Sequence, residues 1–108
     1  MKNSNIINMV GGWFIGDFEP SIHKTRDFEV GIKNYNRGDK VEKHFHKVAV
    51  EYTVILEGVA LMNGIEYSEG DVIKVLPFEV SDFTAVTDVK SIVVKIPSVI
   101  NDKYLVDD

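Results

Sequence analysis

A chain of 108 residues with a net charge of −5, 44% hydrophobic and 27% charged side chains, suits one folded domain and lacks the basic surface that nucleic acid requires. It contains no cysteine, which excludes disulfides, thiolate catalysis and cysteine-bound zinc. No apolar run is long enough to span a bilayer, and the N-terminal stretch is too weak for a signal peptide, so a cytoplasmic protein with no membrane partner is expected.

Residues 1–20 carry Trp13, Phe14, Ile15 and Phe18, an apolar arm that reads as a barrel cap or a subunit contact. "DFEVGIKNY" then alternates, with Phe28, Val30 and Ile32 on one side and Glu29 and Lys33 on the other. That is the period of a half-buried strand. "NRGD", residues 36–39, is a turn signal. "EYTVILEGVALM", residues 51–62, is apolar and β-branched, and Gly58 marks a bend or bulge within it. Asn63-Gly64 predicts a tight hairpin, because both central residues of such a turn need positive φ. A second turn at 68–71 leads to "VIKVLP", which stops at Pro77. "VSDFTAV" and "SIVVKIP" read as two further strands, and 102–108 as a polar tail. Seven or more strands with no sustained helical period predict an all-β sandwich or closed barrel.

The chemistry concentrates in "KHFHKVAVE". On a strand, residues i and i+2 share a face, so His44 and His46 point together and Phe45 points away. With Glu51 they offer two imidazole nitrogens and a carboxylate. That set suits divalent iron, manganese, nickel or zinc and leaves positions open for water or substrate. Parity imposes a condition. Glu51 lies five residues beyond His46, so an unbroken strand would aim it away from both histidines. The three meet only if the chain bends within residues 47–50, which contain neither glycine nor proline. The alternative is an ordinary polar strand edge.

The spacing of Gly38, His44, His46, Glu51 and Gly58 resembles the first signature motif of the cupin family, with every fixed position matched. Residues 70–86 resemble the second motif at Gly70, Asp71 and Pro77. They depart from it at Phe78, where the family usually has glycine, and at Ser81, where it usually has the histidine that supplies the last metal ligand. The resemblance covers about residues 28–97. It implies a cupin double-stranded β-helix, or jelly-roll barrel, often a homodimer, with the site inside the barrel. It also implies His44, His46 and Glu51 as metal ligands, with no fourth ligand carried over. Ser81 is a poor ligand for a transition metal, and Asp82 falls on the opposite face of its strand.

Thr53 and Ile55 share parity with Glu51, and Phe83 shares it with Ser81. Thr53, Ser81 and Phe83 are therefore candidate pocket-lining residues, and Asp82, in the "EVSD" cluster, joins them from the barrel mouth. His23 reads as a solvated loop histidine, and Lys74 as a solvent-facing lysine in an apolar strand. Three functions remain. One is a metal-dependent enzyme, such as an isomerase, epimerase or dioxygenase, acting on a small polar metabolite such as a sugar or keto acid. The second is a non-catalytic binder or sensor, and the third a structural or accessory dimerising subunit.

Overall fold

The computed structural model describes residues 1–106 and builds them into eleven strands. In chain order these are β1 (Trp13–Gly16), β2 (His23–Lys24), β3 (Glu29–Tyr35), β4 (Lys40–Phe45), β5 (Val50–Glu57), β6 (Val59–Met62), β7 (Ile65–Ser68), β8 (Val72–Val75), β9 (Ser81–Ala85), β10 (Val89–Ile96) and β11 (Tyr104–Leu105). One sheet runs β2-β1-β3-β10-β5-β8 and the other β11-β4-β9-β6-β7. The strand pairs are antiparallel except for β1 with β2. The expected all-β jelly roll is the architecture found. No helix among the described residues is long and apolar enough to cross a membrane.

The turn residues act as their chemistry dictates. At 36–39 the Asn36 N–H donates to Asp39 Oδ2 at 2.8 Å, and at 68–71 the Ser68 N–H donates to Asp71 Oδ2 at 2.8 Å. These aspartates close the two turns by replacing a backbone acceptor. Gly58 is the point where the chain leaves one sheet for the other. Its φ is +92°, and a Cβ there would lie 2.1 Å from the Asp88 carbonyl oxygen, so no larger residue fits the crossing. Asn63 and Gly64, at φ 51° and 77°, close the expected hairpin between ladder partners Met62 and Ile65.

Asn63 also binds that hairpin to β9. Its N–H donates to Asp82 Oδ1 at 2.7 Å, its Oδ1 accepts from the Asp82 N–H at 3.1 Å, and its Nδ2 donates to the Val80 carbonyl at 2.9 Å. Asn63→Ala should destabilise the protein by about 1–2 kcal/mol, from the lost side-chain bonds and the poorer fit to positive φ. A thermal melt should show a fall of about 5–10 °C. An unchanged melt would mean that these bonds contribute nothing net.

Between the sheets, the inward positions divide by chemistry along each strand. Ile55, Ala60, Met62, Phe83, Ala85 and Val89 form the apolar core, with Tyr35 packed at a tilt against Phe83 at 4.5 Å between ring centroids. Further along the same strands, the inward positions of β5, β9 and β10 become Thr53 and Glu51, Ser81, and Ser91 and Lys95. A solid core thus gives way to a polar cavity. The alternation of β3 is not the simple apolar-in pattern. Lys33 and Tyr35 line the cavity, while Ile32 borders an external groove with Ile6, Met9 and Phe14.

Two terminal segments differ from expectation. The arm at 1–20 is not wholly a cap or contact: Trp13–Gly16 is a strand of the six-stranded sheet, paired with β3. Gly31 on β3 is the seat of the Trp13 indole, since a Cβ there would stand 2.7 Å from the ring. The segment 102–108 is not a free polar tail over its described part. Asp102 is 7% exposed, and Tyr104 and Leu105 pair with Phe45 and His44 of β4. Residues 107 and 108 lie outside the described residues.

Candidate small-molecule site

β4 ends at Phe45 and β5 begins at Val50, so the bend that parity demanded lies between the histidines and Glu51. A carboxylate from the far end of the chain holds it. Asp102 Oδ1 accepts from the Lys47 N–H at 2.8 Å and, at 3.3 Å, from that of Val48. Its Oδ2 accepts from Val48 at 3.1 Å and from Ala49 at 2.9 Å. Burial pushes the Asp102 carboxyl upward. The amides of Ala49, Lys47 and Val48, with His46 beyond them, more than offset this and hold it below its ordinary value. The bend therefore needs no glycine or proline, because three consecutive N–H groups share one ionised acceptor.

Both histidines are buried, His44 at 8% exposure and His46 at 2%, and their rings meet edge to face at 5.3 Å between centroids. His44 Nδ1 lies 2.8 Å from the Glu42 carbonyl oxygen, which can only accept, so Nδ1 carries the proton. In the neutral ring this leaves Nε2 with its lone pair free. His46 Nε2 is buried with no hydrogen-bond partner. Burial lowers the His46 pKa to about 4, helped by Lys95, His44 and Lys103 and opposed by Asp102, so the ring is neutral at pH 7.

A cavity of about 330 Å³ opens on this pair. Glu51, Thr53, Ser81 and Phe83 line it, and Ser81 lies opposite His44 on the β4–β9 ladder. Asp82 reaches its rim, with Oδ1 bonded to Asn63. The structure brings the two histidines together. Among the described residues no group of three or more His, Cys, Asp or Glu side chains is arranged to hold a metal ion. His44, His46 and Glu51 line one cavity without forming such a group. His23 is exposed on β2, 6.4 Å from the Phe28 ring, and does not line the cavity. Lys74 is exposed, with its Nζ 5.7 Å from the Tyr52 ring, as expected.

Sequence reasoning missed several lining residues: Trp13, Lys33, Tyr35, Lys95 and Lys103. Burial, then the charges of Glu51 and Asp39, raise the Tyr35 phenol above its ordinary value, so it is a neutral donor. A signal for Lys95 was present. It interrupts an apolar strand as Lys74 does, and it lies directly opposite inward-facing Glu51 on the β5–β10 ladder.

No protein-family model matches the chain, and no curated protein sequence matches it. Solved structures do. An RmlC-like cupin protein from Desulfovibrio desulfuricans is 22% identical with a TM-score of 0.67, over 92% of this chain and 99% of that one. A double-stranded β-helix protein from Klebsiella pneumoniae is 21% identical with a TM-score of 0.68, over 78% and 74%. The DMSP lyase DddQ from Ruegeria pomeroyi is 18% identical with a TM-score of 0.70, over 84% of this chain and 48% of that one. The chain is thus a cupin by fold, and the resemblance carried by residues 38–58 is borne out at that level.

Proposed function

We propose that the cavity is a small-molecule site in which His44 and His46, joined by Glu51, hold a divalent transition metal: iron, manganese, nickel or zinc. The observation that carries this reading is His46 Nε2, a buried, neutral nitrogen with no partner. Leaving such an acceptor unsatisfied costs about 1–3 kcal/mol, an expense that a ligand at the site would recover. The donor chemistry fits a metal of this class. Both rings supply nitrogen, and the Glu42 carbonyl orients His44 as outer-shell partners commonly orient metal-binding histidines. Glu51 lines the same cavity as the pair and is the carboxylate that would complete the set.

A metal held there would polarise a carbonyl or hydroxyl of a bound metabolite such as a sugar or keto acid. Tyr35, Thr53, Ser81 and Ser91 offer hydroxyls that orient it. One protein of the same fold is a lyase, which supports catalysis by analogy of fold alone. That no three such side chains among the described residues are arranged to hold a metal favours, as a second reading, a binding pocket that works without metal.

Elemental analysis of protein purified without an affinity tag tests the choice. About one equivalent of one of the four metals is expected, lost in His44→Ala and His46→Ala. Protein that remains metal-free after incubation with each ion, and still binds small molecules, would overturn the metal reading and leave the second.

A further inference from the structure

The geometry points to a ligand bearing an anionic oxygen group, a carboxylate or phosphate, docked on Lys33, Lys95 and Lys103 beside Trp13. This deepens the small-molecule reading and rests on the cavity being a ligand site, not on the metal.

The chain as a whole is acidic, at net charge −5, yet this one cavity gathers three lysines. The acidic side chains that line it are Glu51 and Asp82, and Asp82 is already bonded to Asn63. Lys33 and Lys95 extend from neighbouring strands to the same indole, their Nζ atoms 5.3 and 5.1 Å from the Trp13 ring. Lys33 donates to the Gly11 carbonyl at 2.7 Å. Among the described residues none of the three lysines forms an ion pair. The ladder neighbours of Lys95 are Glu29 and Glu51, but neither carboxylate comes within ion-pair distance. Glu29 instead accepts from the Ser98 hydroxyl at 3.2 Å.

Like charges gathered around one ring repel, and burial adds to the penalty. Burial, then Lys95, then Lys103 hold the Lys33 ammonium below its ordinary pKa. An anion placed among them removes the repulsion. The hydroxyls of Tyr35 and Thr53 supply further donors to its oxygens. These positions lie on β3, β5 and β10 at the middle of a sheet, a rigid frame for a charged group.

Trp13 is the sole tryptophan, so its fluorescence reports on this cavity directly. The full chain, stripped with a chelator, would be titrated with malonate, 2-oxoglutarate and glucose 6-phosphate. The neutral counterparts are malonamide, dimethyl 2-oxoglutarate and glucose. Saturable binding is expected for at least one anion, with its neutral counterpart at least tenfold weaker. Whether the carboxylates or the phosphate saturate identifies which source of the charge the site takes. Lys33→Met and Lys95→Met should each weaken that binding at least tenfold, while Lys74→Met, on the outer face, should not. If a variant of the half-buried Lys33 or Lys95 fails to fold, the exposed Lys103→Met provides the test at a threefold or greater loss. Equal binding of a neutral counterpart, no binding by any of the three anions, or undiminished binding in the folded lysine variants would overturn the assignment. Metal content measured on the same variants separates the two readings. Measured before chelator treatment, unchanged metal content beside lost anion binding in the histidine-intact lysine variants assigns the loss to the lysines and not to the metal site.

Discussion

Replacing Asp102 with alanine should lower stability by about 3 kcal/mol and the melting temperature by roughly 15 °C. The carboxylate serves three consecutive amides, and hydrogen bonds to an ionised group contribute about 1.5–3 kcal/mol each when considered alone. They do not simply add. Lys47 and Val48 are exposed, so water replaces the carboxylate at their amides, whereas Ala49 is 1% exposed and its N–H is left unsatisfied. Asp102→Asn should cost about 2 kcal/mol, because one oxygen still accepts while the new NH₂ faces donors. The same variants should weaken metal and small-molecule binding, since the 47–49 bend sets Glu51 relative to the histidine pair. Thermal melts with parallel ligand titrations check both effects. A melt within 2 °C of the parent would show that the bend holds itself.

That contact also marks where sequence reading ends. Parity between His46 and Glu51 required a bend at 47–50, and the bend is there. What holds it could not be seen, because the acceptor sits 53–55 residues away in a segment whose composition reads as a tail. Local devices were legible for the opposite reason. Asn63-Gly64 and the Asp39 and Asp71 turns each act within a few residues, so their chemistry appears in the string itself.

The lysines show how far alternation carries. "VIKV" and "VVKI" look alike, yet Lys74 points outward and Lys95 inward. On the ladders Lys74 stands opposite Tyr52, while Lys95 stands opposite Glu51. Once Glu51 is taken to face inward, its partner must do so too, but pairing between distant strands is not written in either segment. The β3 pattern misleads further. Its apolar Ile32 is turned to an external groove, and the inward positions hold Lys33 and Tyr35, because that part of the interior is a cavity and not a core.

Acid should destabilise the metal-free protein through His46. The unfolded chain binds this proton near pH 6.5, and the folded chain only near pH 4. Between those values the unfolded state holds more protons, so stability falls as the pH is lowered. The contribution is present in full above pH 6.5, drains away down to about pH 4 and is constant below it. A depression of this size corresponds to about 3 kcal/mol. Asp102, held below its ordinary value of 3.8, adds a separate loss only at more acid pH, as its own folded-state titration is crossed. Denaturant unfolding of chelator-treated protein from pH 7.5 to 4 measures the slope. His46→Gln cannot take up the proton, so the stability gap between parent and variant should close by about 3 kcal/mol across that interval. Parallel curves would mean that the ring is already solvated in the folded protein, and that the unpartnered nitrogen on which the site rests has water for company.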